Sequence, residues 1–361
     1  MVRHLYVHIP FCLKLCPYCG FYKEVLERDR TGVFLDAVLA EAESASPGLR
    51  PETVFFGGGT PTALATAELE FLIAGLRERV DFSGVSEFTV EMNPATVSPE
   101  KADALLALGV NRASMGVQSW DDALLRTLGR VHSADQAGRS YEILREAGMK
   151  NINLDLIFGI PGQTEERWRE TLRRTLDLGP EHISAYCLTY EEDTEYFRTL
   201  ASGGHAPVAG LDARLFEIAM EVLGSSGFAQ YEISNYARPG RECLHNLGYW
   251  RGEDYEGLGP GAFATRGRVR RQNVADTSEY IRRIGCGTGA REFSEAVTPA
   301  MRRTERIALA LRTSDGIPIA DAEPAALAGL RTGGLVTVAG ERVRLTRRGR
   351  MLADEVAAEL L

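Results

Sequence analysis

Six short apolar runs in the first two-thirds of the chain restrict its fold more than any other feature. They are LYVHI (Leu5–Ile9), TVFFGGG (Thr53–Gly59), EFTVEMNP (Glu87–Pro94), RASMGVQS (Arg112–Ser119), NINLDLIFGIPG (Asn151–Gly162) and HISAYCLTY (His182–Tyr190). Amphipathic segments such as Phe34–Ser44, Ala67–Val80, Glu100–Leu108, Ala134–Ala147 and Glu165–Leu178 separate them. Strands alternating with helices mean βα units and a parallel sheet. The near-continuous apolar character agrees, because parallel strands are covered on both faces. A closed eight-stranded barrel takes roughly 250 residues, and this rhythm stops near Ser202 after six units. An open, partial (β/α)6 barrel is therefore expected. Its chemistry should gather at the C-terminal strand ends, where GGGTP, EMNP, Gln118–Ser119 and Gly159–Gly162 fall.

Beyond Ser202 the pattern changes. Up to Pro299 the chain reads as irregular and rich in Gly, Tyr and Arg, with one helix-period stretch at Leu211–Leu223. From Pro299 it gives two helices (Met301–Leu311, Ile319–Leu330), then a strand, a Gly-tipped turn, a strand and a closing helix. That order outlines a winged-helix-like domain. The expected division is a core barrel over 1–235, an irregular connection over 236–298, and the C-terminal domain over 299–361.

Composition excludes several classes. Hydrophobic content of 44% and charged content of 25% are ordinary for a globular chain. No apolar run approaches the roughly 18 residues of a membrane span. The start, Met1–Pro10, carries His4 and His8 inside its apolar run and no small-residue cleavage site, so it does not read as a signal peptide. The cytoplasm is the expected compartment. A net charge of −9 argues against a nucleic-acid partner.

Cysteine placement carries the chemistry. Cys12, Cys16 and Cys19 fall in one loop after the first apolar run, while Cys187, Cys243 and Cys286 are scattered. Thiolates three and four residues apart can converge on one metal or cluster. Structural zinc wants a fourth ligand and usually two separated pairs, for which only His8 is near. Three thiolates with no fourth suit a [4Fe–4S] cluster that leaves one iron open. The scattered cysteines read as buried small hydrophobes or free thiols.

HIPFCLKLCPYCGF resembles the CxxxCxxC cluster loop of the radical S-adenosylmethionine (SAM) superfamily, and more narrowly the HemN/HemW family. FFGGGTPT (Phe55–Thr62), EMNP (Glu91–Pro94), GVNRASMGVQSW (Gly109–Trp120), NLDLIFGIPGQT (Asn153–Thr164), YEISNYARPG (Tyr231–Gly240) and HNLGYW (His245–Trp250) extend the likeness over nearly the whole chain. The resemblance implies a radical-SAM barrel in which SAM chelates the open iron by its amino and carboxylate groups and takes an electron from the reduced cluster. It implies that Tyr6 and Tyr18 flank SAM and that Gly58, Gly59 and Thr60 hold its methionine part. A glycine-rich strand end lets backbone approach the ammonium; the plain alternative is a tight βα turn. Glu91 is implied for the ribose hydroxyls, and Gln118, Arg130 and Asp155 for the carboxylate and nucleoside region. The plain alternatives are strand-end caps for Glu91 and Asp155 and a surface charge for Arg130.

His245 is weighed separately, since a lone histidine is usually structural. Here Tyr249 and Trp250 follow it, and an imidazole beside flat aromatic surface suits an axial haem ligand; HNxxYW is also the motif that haem-chaperone members of the family carry. His182, His205 or a cysteine are the alternatives. Within the family, a coproporphyrinogen dehydrogenase continues after Gly with a fourth Cys, where this chain has Phe21, and carries a long segment before its cluster loop. Both departures point to the haem chaperones. The resemblance thus implies haem as cargo, haem-accepting partners such as respiratory enzymes and an electron donor; it leaves peripheral membrane contact open. Whether the chain is an enzyme is open too, the alternative being oxidative decarboxylation of coproporphyrinogen III. A DNA-binding iron–sulfur regulator is disfavoured: residues 299–361 hold ten arginines against eight acidic residues, no basic footprint.

Overall fold

A computed structural model describes residues 2–45, 47–204, 208 and 210–361. The βα rhythm is present as β1 (His4–Ile9), α1 (Arg28–Ala45), β2 (Thr53–Gly58), α2 (Thr66–Arg79), β3 (Glu87–Met92) and α3 (Pro99–Ala107). It continues through β4 (Arg112–Gln118), α4 (Asp122–Thr127), α5 (Ala134–Glu146), β5 (Ile152–Phe158), α6 (Glu165–Leu178) and β6 (His182–Cys187). Strands β1 to β6 pair in chain order and all in parallel. Local sequence sets the crossovers. The Ser98 hydroxyl accepts from Lys101 N at the start of α3, with Pro99 in the first turn where its missing N–H costs nothing. Ser133 and Gln136 form a reciprocal capping box on α5. Thr164 caps α6, and Gly179 closes it at φ +68°.

The strands are not apolar on both faces. Alternate residues such as Val7, Phe56, Phe88, Met115 and Leu154 are buried in the main hydrophobic core, the face that β/α folds cover with crossover helices. The opposite parity carries Tyr6, Glu91, Ser114, Asp155 and Ser184, all lining one cavity of about 220 Å³. Strands lie about 4.8 Å apart, so six laid flat would spread over some 24 Å. One small cavity touched from β1 through β6 requires a curled sheet. β1 and β6 do not pair with each other, so the barrel is open.

Downstream of α7 (Glu195–Ala201) and α8 (Leu211–Ser225), the chain adds β7 (Ala229–Gln230), β8 (Asn235–Ala237), α9 (Leu244–Trp250), β9 (Tyr255–Leu258), β10 (Phe263–Arg266), β11 (Val269–Asn273), α10 (Thr277–Gly285) and β12 (Arg291–Ala296). Residues 236–298, expected to be irregular, thus hold four strands that extend the sheet to the order β12-β11-β10-β9-β1-β2-β3-β4-β5-β6-β8-β7. β9 runs parallel to β1, and β10 to β12 follow antiparallel. Sequences such as VRRQN and REFSEA are largely polar, so these strands carried no apolar-run signal.

The C-terminal segment comprises α11 (Pro299–Ala310), β13 (Ile317–Pro318), α12 (Pro324–Thr332), β14 (Val336–Ala339), β15 (Arg342–Leu345), α13 (Arg347–Arg350) and α14 (Ala353–Leu360). It has its own core around Ile307, Leu311, Val343 and Val356. A Glu232–Thr313 bridge and the Arg350–Gln230 contact join it to the barrel. Among the described residues no helix is long and apolar enough to cross a membrane.

Candidate functional site

The C-terminal ends of β1 and β2 build the first part of the site. Phe11–Cys12 pairs with Glu24–Val25, so the intervening loop closes on itself and holds Cys16 and Cys19. All three cysteines line one small cavity together with Tyr18, Gly58, Gly59, Thr60 and Arg130. Cys12 Sγ lies 3.6 Å from Thr60 Oγ1; burial pushes its thiol up, and the Thr60 contact opposes this. Arg130, half-buried, donates to Gly116 O at 2.8 Å and reaches Cys16 Sγ at 3.7 Å. Burial raises the Tyr18 phenol beyond its usual range while Arg130 works the other way. Gly129, at φ +68°, lets this arginine's turn pass Pro17 of the cysteine loop, where a Cβ would stand 2.7 Å away.

The glycines are small for packing reasons. A Cβ on Gly59 would stand 2.5 Å from the carbonyl carbon of Pro10, and Gly59 N donates to Ile9 O at 2.8 Å. Gly58 has φ +106°, with the His8 ring 2.4 Å from where a Cβ would sit. Gly57 leaves room for the Glu91 carboxylate. Gly59→Ala presses backbone on backbone, so a loss of about 1–3 kcal/mol and a lower iron content after reconstitution are expected. Thermal melting and iron analysis check this; unchanged iron content would free the loop from this constraint.

Three thiols, a close backbone wall and a half-buried guanidinium fit a [4Fe–4S] cluster, whose cysteines each bind a different iron. Among the described residues no three His, Cys, Asp or Glu side chains converge as one metal ion would need. His8 is withdrawn as a fourth ligand. Its Nε2 is 2.9 Å from Tyr22 O, which fixes the proton there, and its Nδ1 takes the Tyr6 hydroxyl at 3.0 Å. Burial lowers its pKa to about 4, keeping the ring neutral.

Gly58 also borders the barrel cavity, so the two spaces adjoin. Glu91 faces that cavity and accepts from Gly58 N at 3.2 Å. Burial, followed by the charge of Asp155, raises its pKa to about 8. Asp155 is raised mainly by burial, against hydrogen bonds from Ser114 (3.0 Å) and Asn153 (2.8 Å). Tyr6 completes the wall, stacked near Phe55 with ring centroids 6.2 Å apart. Gln118 ends β4 at φ 66°, the sole positive φ among described non-glycine residues. Such strain concentrates at functional positions, yet Gln118 lines neither cavity.

His245 is where the structure departs furthest from expectation. It lies 1% exposed in α9, whose backbone N–H groups at Leu244 and His245 donate to Glu87 at 2.8 and 3.0 Å. Its Nδ1 is 2.7 Å from Thr53 Oγ1, and that hydroxyl is also 2.8 Å from His4 Nδ1. One hydroxyl has one proton, so it donates to one ring and accepts from the other. Nε2 is 3.1 Å from the Tyr249 hydroxyl, and the ring stacks on Phe55 at 5.1 Å. Burial holds its pKa well below normal. Both nitrogens are engaged inside the protein, so an iron bond would have to displace Tyr249 or Thr53. Of the alternatives, His182 is likewise buried between Asn153 and Tyr231, and His205 lies outside the described residues.

Sequence reading missed Arg112, Ser114, Asn153, Ser184 and Asn235 around the barrel cavity, and Lys14, Lys23, Asn93 and Thr96 around the cysteines. A signal existed for the first group: polar residues at spacing two within an apolar run share one strand face, as Arg112–Ser114 and Asn153–Asp155 do.

Residues 6–175 match the radical SAM superfamily model. The heme chaperone HemW of Bacillus subtilis is 36% identical, over 100% of this chain and 99% of that protein. HemW of Escherichia coli is 37% identical, over 72% of this chain and 68% of its own length. Among solved structures, the coproporphyrinogen III oxidase HemN from Escherichia coli, described as a radical SAM enzyme, superposes with a TM-score of 0.86 at 26% identity, covering 99% of this chain and 90% of that one. An end-to-end likeness at that identity leaves one assignment: the chain belongs to the HemW family of the radical SAM superfamily.

Proposed function

We propose that the protein is a haem chaperone of the HemW type, which holds a [4Fe–4S] cluster, binds SAM and haem, and delivers haem to acceptor proteins such as respiratory enzymes in the cytoplasm. The full-length likeness to the Bacillus subtilis chaperone carries this reading. Cys12, Cys16 and Cys19 would hold the cluster, with the Arg130 guanidinium 3.7 Å from Cys16 Sγ. The chemistry such a group supplies when bound is one electron for the sulfonium of SAM. Gly58, Gly59 and Thr60 line the cysteine cavity, Gly58 borders the barrel cavity as well, and Glu91 presents an acceptor on the barrel side. Tyr18 packs on Tyr196, centroids 6.2 Å apart, and screens the cysteines from one side.

Haem titration of the cluster-reconstituted protein should give a Soret band that saturates. With SAM, a reductant and coproporphyrinogen III, the same protein should form no protoporphyrinogen IX. Its formation would establish the alternative, a coproporphyrinogen dehydrogenase, which the fold likeness to HemN keeps in view. The surroundings of His245 give a further expected result. His245→Ala removes the partner of Thr53 and Tyr249 and leaves a cavity under Phe55, so its melting temperature should fall, by a stability loss of about 2–4 kcal/mol. Its haem spectrum should match wild type at equal occupancy. An altered Soret band with an unchanged melting point would restore His245 as the axial ligand.

A further inference from the structure

Arg112 begins β4 and is 2% exposed, among the largest fully buried side chains of the protein. It lines the barrel cavity. Among the described residues its side chain has no hydrogen bond and no ion pair, and its Nε is buried without a partner. A guanidinium carries five donors in a planar fork, and a buried charge without a direct partner is costly. The Glu87 and Asp155 carboxylates are near enough to oppose the effect of burial on it, but both are committed elsewhere. Glu87 accepts from the start of α9, and Asp155 from Ser114 and Asn153. The fork lies at a cavity with no carboxylate in direct hydrogen-bond contact.

The geometry of that fork matches a carboxylate, which it can grip through two parallel N–H bonds. Size narrows the source. The cavity holds about 220 Å³, below the 300–1,000 Å³ of ordinary small-molecule pockets, so it admits an arm of a ligand and not a macrocycle. Its lining also offers aromatic surface at Tyr249 and the exposed Phe21. We infer that Arg112 anchors a propionate arm of haem inside the barrel, while the porphyrin face rests against this aromatic surface. The inference rests on the haem-binding reading above.

The test compares haem with its dimethyl ester, which lacks the propionate charges, on wild type, Arg112→Gln and Arg112→Lys, with SAM affinity as the control. Wild type should bind the ester roughly thirtyfold or more weakly than haem, the loss typical of an unpaired buried charge. Arg112→Gln should bind haem and ester alike, Arg112→Lys should recover part of the preference, and SAM affinity should stay at the wild-type level. The ester comparison on wild type stands even if Arg112→Gln fails to fold. Equal binding of haem and ester by wild type overturns the anchor while leaving haem binding intact. A fall in SAM affinity in Arg112→Gln, with its preference for haem over ester retained, overturns the propionate assignment. Wild type that binds no haem overturns the functional reading and the anchor with it.

Discussion

Replacing Cys12, Cys16 or Cys19 by Ser should abolish iron after reconstitution, whereas Cys187→Ser, Cys243→Ser and Cys286→Ser should keep it near wild type. The loop cysteines line one cavity, and a cluster that leaves one iron open has no thiolate to spare. Cys243 is buried at the other end of the parallel strands, with its Sγ 3.5 Å from Glu87 Oε1 at the start of β3. Glu87 pairs with Thr53, five residue steps below Gly58, about 17 Å at the usual rise. Cys187 and Cys286 are exposed, and neither lines the cysteine cavity. Iron analysis and the absorbance of the cluster read the result. Loss of iron in Cys243→Ser would place a ligand where the fold has none and would end the open-iron assignment.

Glu91→Ala should weaken SAM binding by about 2–5 kcal/mol and leave the iron content unchanged. Glu91 lines the barrel cavity and accepts at 3.2 Å from the N–H of Gly58, which borders both cavities, so a ligand reaching from one cavity to the other passes beside it. Equilibrium dialysis with labelled SAM measures the change, and unaltered affinity would return Glu91 to a structural role. Its raised pKa adds a signature in the unliganded protein. The folded carboxyl keeps its proton up to about pH 8, whereas an ordinary glutamate gives it up near 4.5. The native state then binds more protons than the unfolded state across this window, so stability falls as pH rises through it. Glu41, raised to about 7 by burial, contributes in the same direction. The difference between wild type and Glu91→Gln isolates Glu91: the variant should lose less stability between pH 5 and pH 8. Parallel pH dependences in thermal melts would refute the buried, protonated state.

Much of the site was legible because its signals are local. The cysteine loop is a spacing, and the parallel order of β1 to β6 follows from strands that alternate with capped helices. The glycines after β2 were legible too, though the structure adds a reason beyond cofactor approach: at Gly59 no Cβ fits against Pro10. Residues 236–298 hid their strands, because polar strands such as β11 and β12 resemble coil when read by apolar content. β9 is placed beside β1 by pairing His4 with Tyr255, a register to which no local pattern points.

The cluster loop and the βα alternation were written in the sequence alone, since each depends on neighbours a few residues away. What the polar face of each strand does emerges from contacts between distant segments. Thr53 meets His245 across 192 residues of chain, which turns a motif histidine inward. Arg112 has no direct hydrogen-bond partner, while nearby Glu87 accepts from α9, a helix that arrives over a hundred residues later. A side chain's chemistry is intrinsic, but its availability is set by which distant donors and acceptors folding brings within about 3 Å of it.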